Sequence, residues 1–327
     1  MAVITDRAMV EGIMQDARES CVSVAMFCSA SAWNNEAILM AAQRFGKKHG
    51  IKNVPVIVGM TGSYEHMPQC RRATYSLDLK AGFLSIINSL KALAGEKDSP
   101  YYDILVMPQL DHGDPVGDKW ILEEGIKYLS GVLFDCQRFS FEENIAMTSA
   151  YVKKFSGRVM VEAIMETLSV IGTKAQAVKD EHYVDNAVRY AKKTGTDFLV
   201  ADLGTEQQST GTDAVYLKDR ARMLTEALGR KMLVLHGVSS LKPDQIKGLA
   251  SDGVVKVNMW TRIVREAGIY AAEKIREREP DMAKGDFDAC DPQTFINDAF
   301  GKAVDIMEEH LAYFNYGNLA PGGGKQG

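Results

Sequence analysis

The feature that most constrains this chain is an alternation repeated along its length: a short apolar run, a polar loop, an amphipathic segment, then the next apolar run. The runs at 22–28, 54–59, 103–108, 131–135, 158–164, 197–203, 231–236 and 253–258 are largely apolar without a polar face, as strands covered on both sides must be. Between them, residues 5–19, 80–94, 119–129, 142–155, 184–193 and 216–228 carry apolar residues at helical spacing. Thr5 or Asp6 is expected to cap the first of these segments. Asn34 or Asn35 is expected to cap another, which runs through Ile38, Leu39, Ala42 and Phe45 to Gly50. A last helix follows from about Thr261. Strands alternating with helices imply right-handed βα units and a parallel sheet. Eight units predict a closed (β/α)₈ TIM barrel, and no G-x-G-x-x-G follows the first run to support a dinucleotide fold. Residues 294–312 form an extra C-terminal helix, whose Phe295, Ala299, Val304, Met307 and Leu311 can pack on the barrel or on a second subunit. Residues 1–316 read as one domain and 317–327, rich in glycine, as a flexible tail.

Composition narrows the function classes. The 327 residues are 46% hydrophobic and 25% charged, enough for one large barrel. A formal charge of -5 without a Lys/Arg-rich block argues against nucleic acid or an anionic membrane as partner. No apolar stretch approaches the ~20 residues of a membrane helix, and residues 1–7 lack the basic and apolar regions of a signal peptide. A cytoplasmic protein acting on a small molecule is expected. The five cysteines are odd in number and form no CxxC pair, which disfavours a disulfide framework or a thiolate zinc site. Cys136, after Asp135, reads as a packing residue, because thiolate activation needs an electropositive setting.

The informative residues follow the apolar runs. The third run, ending at Pro108, is followed at once by Asp111, His112 and Gly113, a carboxylate and an imidazole side by side on the turn. Other runs deliver Thr61 and Ser63, Asp135, Glu162, Glu206 and Gln207, His236, and Asn258 with Thr261. A barrel brings all these ends to one rim, where its chemistry is done. Two of only six histidines at that rim, with carboxylates beside them, point to a divalent-metal site of the nitrogen/oxygen type that suits Zn, Co or Mn. His49 sits at a helix end, and His66, His182 and His310 read as solvated. His236-Gly237-Val238-Ser239-Ser240 offers backbone N–H groups and hydroxyls for a phosphate or other anion, and barrels often bind one between their last two loops.

Taken as an ordered set, these residues resemble the class II (metal-dependent) fructose-bisphosphate aldolase family over most of 20–275. The landmarks are Leu110-Asp111-His112-Gly113, Gly131-Val132-Leu133-Phe134-Asp135 with Phe141-Glu142-Glu143-Asn144-Ile145, Val161-Glu162, Gly204-Thr205, Leu233-Val234-Leu235-His236-Gly237 with Ser239, and Lys256-Val257-Asn258 with Thr261. The resemblance implies a barrel, dimeric or larger, that reversibly cleaves a carbon–carbon bond of a ketose phosphate. A divalent metal would polarise the ketone of dihydroxyacetone phosphate and stabilise the enediolate. It implies Asp111 as the acid/base at the C4 hydroxyl, His112 and His236 as metal ligands, and Asp135 at a second or alternate metal position. Gly237, Ser239, Asn258 and Thr261 match phosphate and ketone-triose contacts.

The chain departs from the family pattern at five places. Gln207 stands where a third metal histidine is expected, and Gln208 where a glycine follows it. Only Glu162 remains of two fifth-strand glutamates, Ile164 replacing the other. Met165-Glu166-Thr167-Leu168-Ser169-Val170-Ile171-Gly172 replaces the mobile glycine-rich loop. Trp260 replaces an aspartate, and Val238-Ser239-Ser240 a glycine-rich turn. An amide oxygen is a harder and poorer zinc donor than imidazole, so Glu206 or Glu162 is expected to compensate. The leading expectation is a divergent lyase acting on a ketose, sugar acid or sugar phosphate other than fructose 1,6-bisphosphate, with zinc favoured over Mn or Co. A sugar epimerase or isomerase using the same enediolate, and a non-catalytic ligand-binding barrel, are the alternatives.

Overall fold

Eight parallel strands close into a barrel in strict sequence order: β1 Val24–Cys28, β2 Pro55–Thr61, β3 Leu105–Gly113, β4 Gly131–Phe134, β5 Met160–Ile164, β6 Phe198–Val200, β7 Leu233–Leu235 and β8 Val254–Met259, with β8 pairing back on β1. The architecture is the expected (β/α)₈ barrel. The computed structural model describes residues 3–168, 181–211 and 213–322. Nearly every strand residue is buried, because one pleat face fills the barrel and the other lies under helices. Gly59 makes room for that filling: a Cβ there would lie 2.9 Å from Met26 on the neighbouring strand. Among the described residues, no helix is long and apolar enough to cross a membrane.

The ends of the chain brace the closed barrel. Ile4 donates its N–H to the Val106 carbonyl at 2.8 Å, and Arg7 holds Asp197 through two bonds of 2.8 and 2.7 Å. The helix Pro292–Tyr313 packs on helices Ala32–His49 and Thr261–Met282. Beyond it, Tyr316 is fully buried, accepting from the Ala25 N–H at 2.9 Å and donating to the Pro55 carbonyl at 2.7 Å. This interlocks the C-terminal segment with the starts of β1 and β2, and Tyr316–Leu319 form one 3₁₀ turn. Residues 323–327 of the expected tail lie outside the described residues.

Several local expectations need correction. Ser31, not Asn34 or Asn35, caps the second long helix; its hydroxyl accepts from the Asn34 N–H, while Asn35 is buried and donates to the Ile86 carbonyl. The segment 119–129 is a short helix, Lys119–Glu123, followed by a 3₁₀ turn, Gly125–Tyr128. His310 is buried rather than solvated, its Nδ1 2.7 Å from the Ile306 carbonyl. Pro108 does not end β3. Its fixed φ suits extended chain, and its carbonyl accepts both the Ser130 N–H and hydroxyl at 2.7 Å, so the strand runs on to Gly113.

Candidate active site

Asp111 and His112 therefore sit on the last residues of β3, not on the turn beyond it. The pairing of β3 with β4 slips between Leu110 and Gly113, and His112 has φ 47°. A bulge of this kind re-aims side chains, and non-glycine residues at positive φ cluster where function holds them there. Asp111, His112 and His236, all buried, offer ligand atoms within 4.8 Å of one another. The two imidazoles lie edge-to-face with centroids 5.1 Å apart.

Each member of this group has a fixed support. Asp135 lies behind His112 with its Oδ2 2.7 Å from Nδ1, and Gln137 donates to the same carboxylate from its N–H at 3.0 Å and its Nε2 at 2.8 Å. With Nδ1–H donating to Asp135, His112 turns Nε2 toward the cavity, the arrangement that orients metal-binding imidazoles. Burial raises the Asp135 pKa, but the hydrogen bond and charge of His112 together with the Gln137 hydrogen bonds outweigh it, and the net shift is downward. Burial disfavours charge on His112, yet Asp111, Asp135 and Glu162 together carry its pKa above the ordinary value.

Glu162 lies deeper in the barrel. Lys256 Nζ is 2.5 Å from its Oε2, Gln109 donates to it at 3.0 Å, and its Oε1 is 3.4 Å from His236 Nε2. Burial opposes ionisation, but Lys256 and then His236 hold the carboxyl down at about 2. Asn258 Nδ2 links the layer above, 2.9 Å from His236 Nε2 and 3.2 Å from Asp111 Oδ1. Asn258 Oδ1 is buried without a partner among the described residues.

A narrow cavity of about 50 Å³ opens above these groups, lined by Asp111, His112, Gln207, His236, Gly237, Ser239, Asn258, Trp260 and Thr261. Gly237 has φ 70°, and a Cβ on it would come within 2.7 Å of the Glu206 carbonyl oxygen, so the β7 loop needs glycine there. Thr261 begins the helix that follows β8. Tyr64 roofs the cavity, its ring stacked 4.2 Å from His112 and its hydroxyl donating to Gln207 Oε1 at 3.1 Å. Burial, Asp111 and Asp135 push the Tyr64 pKa up, so it acts as a neutral donor.

The remaining predicted residues are placed differently. Glu206 flanks the cavity, its N–H donating to Ser240 Oγ at 3.1 Å. Thr61 is buried below Tyr64, its hydroxyl donating to the Met67 carbonyl and accepting the Gln69 N–H at 3.0 Å. Ser63 lines a second cavity, on the other side of Tyr64 and His112. Of the segment 165–172, residues 169–172 lie outside the described residues. Gln208 keeps φ 60°, a left-handed conformation that explains a glycine preference at that position.

The family model for fructose-bisphosphate aldolase class-II matches residues 8–318. The chain belongs to the class II fructose-bisphosphate aldolase family. It is a divergent class II aldolase-like lyase, and the reaction class is reversible cleavage of a carbon–carbon bond in a sugar-type substrate. Aldolases of this family act on sugar phosphates and depend on a divalent metal, for which the His/Asp group is the candidate site. The fructose-bisphosphate aldolase of Streptococcus pyogenes serotype M1 is 27% identical over 330 residues, covering 98% of this chain and all of that one. Among solved structures, the YdjI aldolase of Escherichia coli K12 has a TM-score of 0.67 at 18% identity, covering 98% of this chain and 100% of that one. The fructose-bisphosphate aldolase of Campylobacter jejuni has a TM-score of 0.72 at 15% identity, covering 96% of each chain. These two likenesses bear on the barrel.

Two site residues carry weight that sequence reading did not assign them. Lys256 is a lone cation within the apolar run 253–258, which was the signal available. Tyr64 has no such signal, because its role depends on the path by which its loop crosses the mouth.

Proposed function

We propose that this aldolase cleaves a phosphorylated ketose or phosphorylated sugar acid, and that Asp111, His112 and His236 form its reaction centre. The observation that carries this reading is the convergence of those three groups from β3 and the end of β7 at one buried spot. Two imidazoles, with the tautomer of His112 set by Asp135, and the Gln207 amide in the same cavity are a nitrogen/oxygen donor set that fits a zinc ion. His112 and His236 would hold the ion with the Gln207 amide beside them, leaving Asp111 for proton transfer. When bound, it supplies Lewis-acid polarisation of a carbonyl.

The chain's own residues do the rest. Gly237 and Ser239 with Thr261 cradle the phosphate at the β7 and β8 loops, where backbone N–H groups and a helix start favour an anion. Asn258 orients the ketone half, its amide already fixed against His236 and Asp111. Asp111 holds the proton that moves to and from the hydroxyl of the carbon being released. Tyr64 excludes water from above and swings aside to admit substrate, since the cavity beneath it is narrower than a triose phosphate. Glu162, neutralised by Lys256, supports His236 from below. All five cysteines are free, in keeping with a cytoplasmic enzyme, and a homodimer or larger homo-oligomer is the assembly we expect.

The deciding experiment combines metal analysis with product detection. Wild type supplied with Zn²⁺ should release dihydroxyacetone phosphate from a ketose 1-phosphate, and Asp111→Ala should retain metal while losing about 10²–10⁴-fold in rate. Full turnover by Asp111→Ala would remove Asp111 from the mechanism. His112→Ala and His236→Ala should each lose the metal, and metal retained by both would sink the centre.

A further inference from the structure

The mouth of the barrel is divided in two by Tyr64 and His112, which line both cavities. On the far side from the phosphate cradle lies a larger space of about 390 Å³, bounded by Ser63, Glu65, His66, Asp114, Asp135, Gln137 and Arg138. Granting the reading above, the carbonyl lies at the divide, so this space receives the aldehyde half of the substrate. We infer that the aldehyde it takes is an uncharged polyhydroxy aldehyde and not a phosphorylated one.

The argument rests on where the cavity's hydrogen-bond donors already point. A phosphate site is built from N–H groups or cations that are not already engaged. Here the Ser63 and Asp114 N–H groups both donate to Asp118, at 2.7 and 2.9 Å. The Val116 and Gly117 N–H groups donate to Asp114 Oδ1 at 2.9 and 2.7 Å, and the Gln137 N–H donates to Asp135. The nearby helix Phe141–Phe155 has its start closed by the reciprocal Ser140–Glu143 cap. Among the described residues Arg138 is the one Lys or Arg lining the space, and its guanidinium is held by Asp114 Oδ2 at 3.0 Å and Oδ1 at 3.4 Å.

The lining is acceptor-rich: it carries the carboxylates of Glu65, Asp114 and Asp135, of which Asp114 also holds Arg138 and Asp135 also holds His112 and Gln137. Against one cation, three carboxylates repel an incoming phosphate dianion and accept from sugar hydroxyls. In the opposite cavity Gly237, Ser239 and Thr261 face the ligand and Asp111 is the one carboxylate among the described lining residues, against three here, which sets the polarity of the substrate: one charged end, one neutral end.

The test runs the reaction in the condensation direction with Zn²⁺ supplied. Dihydroxyacetone phosphate is offered with D-glyceraldehyde or D-erythrose, and in parallel with D-glyceraldehyde 3-phosphate or D-erythrose 4-phosphate. Deuterium uptake into dihydroxyacetone phosphate from D₂O, followed by proton NMR without any aldehyde, reports enolisation by itself. We expect uptake, and kcat/KM at least tenfold higher for the neutral member of each pair. Asp114→Asn keeps the Oδ1 acceptor that holds Val116 and Gly117 but frees Arg138, and should move that ratio about tenfold toward the phosphorylated aldehyde. Arg138→Ala combined with Asp114→Asn should cancel the movement. Deuterium uptake with an equal or reversed aldehyde preference overturns the inference alone, as does an Asp114→Asn ratio that stays put in a folded variant. Absence of both uptake and condensation overturns the underlying reading and the inference with it.

Discussion

His112 shows how a single side chain is prepared for its task by the residue behind it. Its ring is buried, clamped between the Tyr64 face and the Asp135 carboxylate, so only one nitrogen can face the centre of the barrel. Asp135→Asn keeps the shape but lets the amide donate or accept, and the imidazole tautomer is no longer fixed. Outer partners of metal-binding histidines contribute about 10–100-fold to affinity, so this variant should bind Zn²⁺ weaker by that factor in a chelator-competition titration. Unchanged affinity would show that the ring is oriented by Tyr64 alone. Lys256 and Glu162 make the parallel case for stability, as a pair 2.5 Å apart with both side chains buried. Lys256→Met strands a buried carboxylate and should cost about 3–5 kcal/mol in urea unfolding, while Lys256→Met with Glu162→Gln should recover much of that loss. Equal losses in the single and double variants would mean that the two groups are not coupled.

At the scale of the element, the helix Pro292–Tyr313 carries His310, among the described residues the one buried histidine away from the site. The ring is kept neutral first by burial and then by the charge of Arg262, against the pull of the Ile306 carbonyl and Glu309, and its pKa falls below 6.5. A native pKa below the unfolded one means that the unfolded chain binds the proton more readily. Stability is then fully present above pH 6.5 and is lost as pH falls through the lowered native value. Chemical denaturation between pH 7.5 and 5 should show wild type losing stability faster on acidification than His310→Gln. Parallel curves would mean that the helix opens around the ring before the proton arrives. The same helix shows what spacing could and could not reveal. Its apolar stripe predicted an element that packs on the barrel or on a second subunit, but His310 reads as part of a polar face until the neighbouring helices are in place. β3 gives the converse lesson: Pro108 looked like a strand end, and only the Ser130 bonds to its carbonyl show why the strand continues to His112.

For the whole molecule, the alternation of eight apolar runs with helices was enough to predict closure, because period and burial are local properties that the chain writes directly. The partners of each strand-end group were not legible in this way. Glu162 read as a substitute ligand and is instead bonded to Lys256 from a strand three places round the barrel; Gln207 read as a ligand position and accepts a bond from Tyr64. Such pairs exist only once the sheet closes and brings distant sequence to a common layer. Closure also ties stability to occupancy of the centre, since β3 and the end of β7 each contribute a histidine to it. An ion bound to the folded barrel and not to the unfolded chain stabilises by mass action, about 2.7 kcal/mol when its concentration is 100 times Kd. Chelation should therefore lower the Tm of Zn²⁺-loaded wild type by several degrees and leave the His112→Ala, His236→Ala double variant unmoved. A drop of the same size in that variant would place the stabilising ion somewhere other than between these two strands.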